Sequence, residues 1–174
     1  MTTTARVVLT GTECTGKTTL AAELAEHFAC PWVPEYARLY AERQPQLTLA
    51  DVEPIARGHI EASDAALEHA PRLLVQDTDL VSTVVYSRHY YGRCPAWVED
   101  AARVRRADLY LLLHPDVPWQ PDPVRDPVDL RDAMHRHFVA VLHELDARVV
   151  DVRGAWDERR ATALAAVAGL LKDG

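Results

Sequence analysis

The sequence predicts an α/β fold, a parallel sheet carrying helices on both faces, and three observations lead there. The apolar, β-branched run ARVVLT passes directly into the glycine loop GTECTGKT and then into TLAAELAEHF, which sets Leu20, Leu24 and Phe28 on one helical face. A second apolar run, PRLLVQDTD, ends on two aspartates. Further β-rich runs, at 109–113 and in ARVVDV, alternate with helical stretches as a parallel sheet with crossover helices requires.

Taken in order, GTECTGKT fills the pattern of glycine, four residues, glycine, lysine and a hydroxyl residue. Such a loop, here between a strand and a helix, binds a nucleoside triphosphate. Gly11 and Gly16 permit positive φ and close approach of the backbone, and the stretch Gly11, Thr12, Glu13, Cys14, Thr15, Gly16, Lys17, Thr18 and Thr19 offers amides and a helix N-terminus to phosphate. Lys17 is expected on the β and γ phosphates of ATP and the Thr18 hydroxyl on Mg²⁺. Of 19 basic residues only Lys17 and Lys172 are lysine, so a chain that otherwise uses arginine places a compact ammonium in this loop.

Pro31 and Pro34 then bracket a short second strand at Trp32 and Val33, which puts Glu35 at a strand end, where open α/β sheets bind ligands. Glu35 is a candidate base for a substrate hydroxyl, with Tyr36, Arg38 and Tyr40 on the following helical turn as substrate contacts. A helix-start charge is the plainer reading of Glu35, and the residue type leaves both open. Residues 48–70 read as helical, with Pro54 and Gly58 as points for a kink or break and His59 as a structural histidine. In QDTD, Asp77 is the expected second member of the Mg²⁺ shell. Asp79 is expected at the substrate, at the N-cap of the next helix, or both.

A polar helix carrying Arg103, Arg105 and Arg106 as a solvated face leads to the strand at 109–113. Five prolines between Pro115 and Pro127 then mark a long segment, about 115–132, that reads as a lid bearing Trp119, Asp122, Arg125 and Arg131. Arginines on a lid can close over a transferring phosphate and neutralise its charge; the resemblance given below singles out Arg125 for the lid, with Trp119 and Asp122 as candidate substrate contacts. In the loop after the fifth strand, Trp156 either cradles the nucleotide base or packs.

Composition narrows the partners. A length of 174 residues fits a single domain with a sizeable core. The net charge of −7 argues against a nucleic-acid surface, so the expected partner is a small molecule. Cys14, Cys30 and Cys94 show neither metal spacing nor an even count, which fits a reducing compartment. Without a run of about 20 apolar residues no membrane span is expected, and the cytoplasm is the expected location.

Together GTECTGKTT, PEYAR, QDTD, WQPDPVR and GAWDER resemble, in this order and over nearly the whole chain, the nicotinamide riboside kinase domain family found at the C-terminal end of bacterial multifunctional regulators of NAD biosynthesis. The resemblance implies a P-loop kinase fold with five parallel strands and a lid. It also implies transfer of the γ-phosphate of ATP to the 5′-hydroxyl of nicotinamide riboside, with Lys17 and Thr18 serving ATP and Mg²⁺, Glu35 or Asp77 handling the ribose hydroxyl, and Arg125 in the lid. The chain departs from that family's aromatics at Pro34 and Ala65. Two readings stand beside it: a P-loop kinase of another nucleoside or small metabolite, and a regulatory nucleotide-binding ATPase, which would bind nucleotide without phosphorylating a small molecule.

Overall fold

The computed structural model describes residues 3–44, 46–117 and 128–173. Its centre is β1 (Ala5–Thr10), whose last four residues are fully enclosed, as an unbroken apolar strand demands when both sheet faces are covered. β1 pairs in parallel with β3 (Leu73–Asp77) on one side and β4 (Leu109–Leu113) on the other. Beyond these lie the two-residue β2 (Trp32–Val33) and β5 (Val149–Val152), giving one five-stranded sheet in the order β2-β3-β1-β4-β5. All four pairings are parallel, as the sequence predicts.

Alternation along the strands separates two cores. Val7, Leu9, Leu109, Leu111 and Leu113 face α1 (Lys17–His27) and α7 (Trp156–Asp173), where Leu20, Leu24, Ala163 and Val167 meet them. Val8, Tyr110 and Leu112 face the opposite side, against α3 (Val52–Leu67), α4 (Leu80–Tyr91), α5 (Ala96–Val104) and α6 (Val128–Glu144). On α6, Met134, Phe138, Val141 and Leu142 recur at helical spacing and are all buried, as is Leu145 just beyond its end. Each large apolar side chain so enclosed contributes about 1.5–3 kcal/mol. No helix among the described residues is long and apolar enough to cross a membrane.

Two expectations are corrected. The stretch around Pro54 and Gly58 neither breaks nor restarts: a 3-10 turn at Leu49–Asp51, closed by a Thr48–Asp51 capping box, leads straight into the continuous α3. Pro54 sits in the first turn of α3, where its missing N–H is one the helix would not use. Gly58 has a packing reason instead, since a Cβ there would stand 2.0 Å from Cζ of Tyr36 on α2 (Tyr36–Arg43). Gly58→Ala is therefore expected to destabilise the protein by about 1–3 kcal/mol in urea unfolding, overriding the roughly 1 kcal/mol of helix propensity that alanine gains. An unchanged midpoint would mean that Tyr36 moves aside freely.

The arginine run is the second correction. α5 ends at Val104, so Arg105 and Arg106 lie beyond it. Arg105 pairs with Asp64 of α3, and Arg106 donates to the Leu145 and Asp146 carbonyls after α6. With Arg103 donating to the Glu144 carbonyl, the run fastens the end of α6, whose C-terminal carbonyls lack helical donors, while Arg105 ties to α3 through a carboxylate.

Candidate active site

The loop between β1 and α1 takes the shape its glycines allow. Gly11 and Gly16 have φ of 127° and 89°, and a Cβ on Gly16 would stand 2.7 Å from the Trp156 ring. Cys14 also lies in the left-handed region, at φ 56°. Within the loop the Thr15 hydroxyl donates to the Thr12 carbonyl at 2.9 Å, and Lys17 Nζ donates to the carbonyls of Gly11 and Thr12 at 3.0 and 2.7 Å. An ammonium carries three donors, so one remains for a ligand. Burial lowers the pKa of Lys17, and Glu35, Asp77 and Glu13 act against that shift and favour the charged form.

Asp77, at the end of β3, is fully enclosed and accepts a 2.6 Å hydrogen bond from Thr18 Oγ1 through Oδ2. Its Oδ1 is buried without a hydrogen-bond partner, and the same holds for Thr10 Oγ1 and Thr12 Oγ1. Burial raises the Asp77 pKa above the usual carboxylate range, with the Thr18 bond and Lys17 opposing. A buried, unsatisfied carboxylate oxygen is costly unless a donor or cation completes it. Oxygen ligands from a hydroxyl and a carboxylate suit Mg²⁺, so Thr18 and Asp77 fit the metal role expected of them.

Thr78 then turns the chain. Its φ of 66° is unusual for a β-branched residue, and its N–H is held by the Leu9 carbonyl at 2.9 Å. In an ideal strand residues 77 and 79 would share a face; this turn separates them. Asp79 is placed away from the loop: its Oδ1 accepts from Val81 N at 2.9 Å and caps α4, and its Oδ2 accepts from the Tyr110 hydroxyl at 2.6 Å. Both oxygens are engaged and the residue is 6% exposed, so Asp79 fills the capping role. Burial pushes its pKa up to about 6. Gln76, on the same side, contacts His59 Nε2 at 3.3 Å; burial pushes the His59 pKa down to about 4. The structural reading of His59 fits this setting.

Glu35 stands at the N-cap position of α2 without forming a side-chain cap, and instead pairs with Arg38 at 3.5 Å. Tyr36 lies over Gly58, and Tyr40 donates to Asp51 Oδ1 at 2.8 Å. Glu35, Arg38 and Asp77 all act electrostatically on Lys17, which ties the start of α2 to the loop. Trp156 packs against Gly16, the packing alternative of its two readings. Trp119, Asp122 and Arg125, with most of the expected lid, lie outside the described residues.

Sequence reasoning missed Arg159 as a site residue. It is completely buried behind the loop and donates to the Thr15 carbonyl at 3.2 Å. In GAWDERR nothing separates it from Arg160, which is exposed and pairs with Glu23. Arg131, at the start of α6, is 7% exposed and donates to the Val117 carbonyl at 3.3 Å, while its Nε and Nη2 are buried without partners.

A parallel sheet with helices on both faces, a glycine loop closing on a buried lysine, and a strand-end aspartate bound to the loop threonine define the P-loop kinase fold. The chain belongs to the AAA domain family, whose model matches residues 6–159. It is 32% identical over 157 residues to the trifunctional NAD biosynthesis/regulator protein NadR of Salmonella typhimurium, covering 86% of this chain and 38% of that protein. Against the NadR of Escherichia coli it is 33% identical over 124 residues, 68% of this chain and 30% of that protein. The chain thus spans well under half the length of these curated relatives. Among solved structures, a NadR protein in complex with NR superposes with a TM-score of 0.75 at 26% identity, covering 95% of this chain and 51% of that one. A NadR protein in complex with NAD and AMP-PNP gives 0.75 at 26% identity, with 97% and 50% covered. The thymidylate kinase of Ehrlichia chaffeensis shares the fold alone, with a TM-score of 0.68 at 15% identity over 97% of this chain and 99% of that one.

Proposed function

We propose that this chain transfers the γ-phosphoryl group of ATP to the 5′-hydroxyl of nicotinamide riboside, forming nicotinamide mononucleotide. The observation that carries the chemistry is Asp77, bonded to Thr18 of the loop with its second oxygen buried and unpartnered. The acceptor is taken from the relatives: similarity runs through 95% of this chain to a protein solved with NR, and another NadR structure holds AMP-PNP.

Phosphoryl transfer is catalysed mainly by positioning and charge neutralisation, and the residues divide that work. The loop amides and Lys17 hold the β and γ phosphates. Thr18 and Asp77 would hold Mg²⁺, which when bound would neutralise charge on the phosphate oxygens. Glu35 or Asp77 accepts the proton of the attacking hydroxyl; Asp77 is bonded to Thr18 of the loop, whereas Glu35 stands at the N-cap of α2 beside the expected substrate contacts Tyr36, Arg38 and Tyr40. Arg125, Trp119 and Asp122 belong to the proposed lid, and the cytoplasm is the proposed location.

The test is incubation with Mg-ATP and nicotinamide riboside, uridine, adenosine or no acceptor, following products by mass. Selective formation of nicotinamide mononucleotide is the expected result; phosphorylation of uridine or adenosine alone would move the acceptor, and nucleotide binding without any product would oppose the kinase reading. Asp77→Asn is expected to lower kcat/KM about a hundredfold and to raise the Mg²⁺ concentration needed for half-maximal rate. Unchanged metal dependence would remove Asp77 from the metal shell.

A further inference from the structure

We infer that Arg159 is a positioning residue that sets the phosphate-binding loop in its ligand-accepting conformation; this rests on the reading of the loop as the ATP site. Arg159 lies in the first turn of α7, distant in sequence from the loop, yet its side chain is 0% exposed. Its guanidinium reaches four acceptors. Nε donates to the Gly154 carbonyl at 2.8 Å, Nη1 to the Thr15 carbonyl at 3.2 Å, and Nη2 to the His114 carbonyl at 3.0 Å and to the Asp116 carboxylate. One rigid fork thereby fixes the back of the loop against the ends of β4 and β5.

The consequence follows from peptide planarity. The Thr15 carbonyl and the Gly16 N–H belong to one planar trans unit and point in opposite directions. Holding the carbonyl toward Arg159 therefore directs the Gly16 N–H away from it, toward the inner side of the loop where phosphate binds. Gly16, at φ 89°, is the residue freest to let that peptide rotate. The Trp156 ring, about one helical turn before Arg159, packs against Gly16 and restricts it further. Asp116 is held by a second bond, accepting from Gly154 N at 2.7 Å, so the fork is itself anchored.

Lysine keeps the charge but offers a single point where arginine offers a fork. The test compares wild type with Arg159→Lys, Arg159→Met and the control Arg160→Met, measuring Kd for Mg-ATP and for tripolyphosphate, which probes the phosphate cradle without a base. Thermal unfolding is followed in parallel on the same samples. Arg159→Lys is expected to weaken both ligands by about tenfold and Arg159→Met by more, while Arg160→Met stays within about twofold. A lower Tm with unchanged Kd in Arg159→Lys would make the role merely structural and overturn the inference; that variant decides the matter where Arg159→Met does not fold. Loss of ATP affinity with tripolyphosphate unaffected would also overturn it. Wild-type protein that binds Mg-ATP yet phosphorylates no acceptor would defeat the kinase reading alone, and the Kd values of the variants would still decide this one.

Discussion

Lys17→Ala is expected to lower kcat/KM for phosphoryl transfer by at least about a thousandfold, roughly 4 kcal/mol of transition-state stabilisation. Lys17 is 9% exposed and its ammonium spans two loop carbonyls, so its field acts in a site from which water is largely excluded. Two separate effects combine. In the proposed reaction the variant would lose the positive charge that meets the transferring phosphoryl group, and it leaves Glu35 and Asp77 without the ammonium that both act on. Arginine is not a rescue, because a planar guanidinium does not fit where a compact ammonium bridges Gly11 and Thr12. Circular dichroism establishes that the variant is folded, and a coupled assay measures the rate. Retention of more than about a tenth of wild-type kcat/KM would sink the assignment of this loop to the reaction.

The second large effect concerns the pH dependence of stability around the Asp79–Tyr110 and His59–Gln76 contacts, where two buried groups act with opposite signs. Asp79 moves from 3.8 to about 6 on folding. The folded state therefore holds its proton more tightly, and the stability linked to that proton is full below 3.8 and lost as pH rises through about 6. His59 moves from 6.5 to about 4, so its contribution is full above 6.5 and lost as pH falls through about 4. Each shift corresponds to something on the order of 3 kcal/mol, and over the shared window the two slopes largely cancel in the wild type.

Asp79→Asn keeps an oxygen for the Val81 N–H and a polar partner for Tyr110, and it removes one slope. Relative to wild type this variant is expected to gain stability, by roughly 3 kcal/mol, on going from about pH 4 to about pH 7. His59→Gln is expected to show the opposite trend. Urea titrations across that range measure both, and a difference from wild type that stays constant with pH in either variant would refute the assignment for that group. Comparing each variant with wild type cancels the contributions of Asp77 and the more exposed carboxylates.

Much of this was legible in the chain because it is local. The glycine loop, Lys17 and Thr18 are fixed by a spacing of a few residues, and the strands follow from β-branched apolar runs that both sheet faces must bury. The strand-end position of Asp77 follows from the same run, and so does its neighbourhood to the loop, since β3 lies beside β1 in parallel register. The end of β3 was legible only in part. Period-two alternation puts Asp77 and Asp79 on one face, and only the left-handed Thr78 sends them to opposite sides.

Contacts between distant parts of the chain were not legible. The α/β class, the phosphate-binding loop and the strand-end acid could be read from the chain alone, because each depends on backbone preferences and side-chain chemistry within a short stretch. It took the folded chain to show that Gly58 makes room for Tyr36, that Asp79 belongs to Tyr110 across 31 residues, and that Arg159 rather than its neighbour Arg160 reaches Thr15 across 144. Adjacent arginines on a helix differ by about 100° of rotation, and the packing of α7 against the sheet determines which one is buried with carbonyls to satisfy and which is left in water.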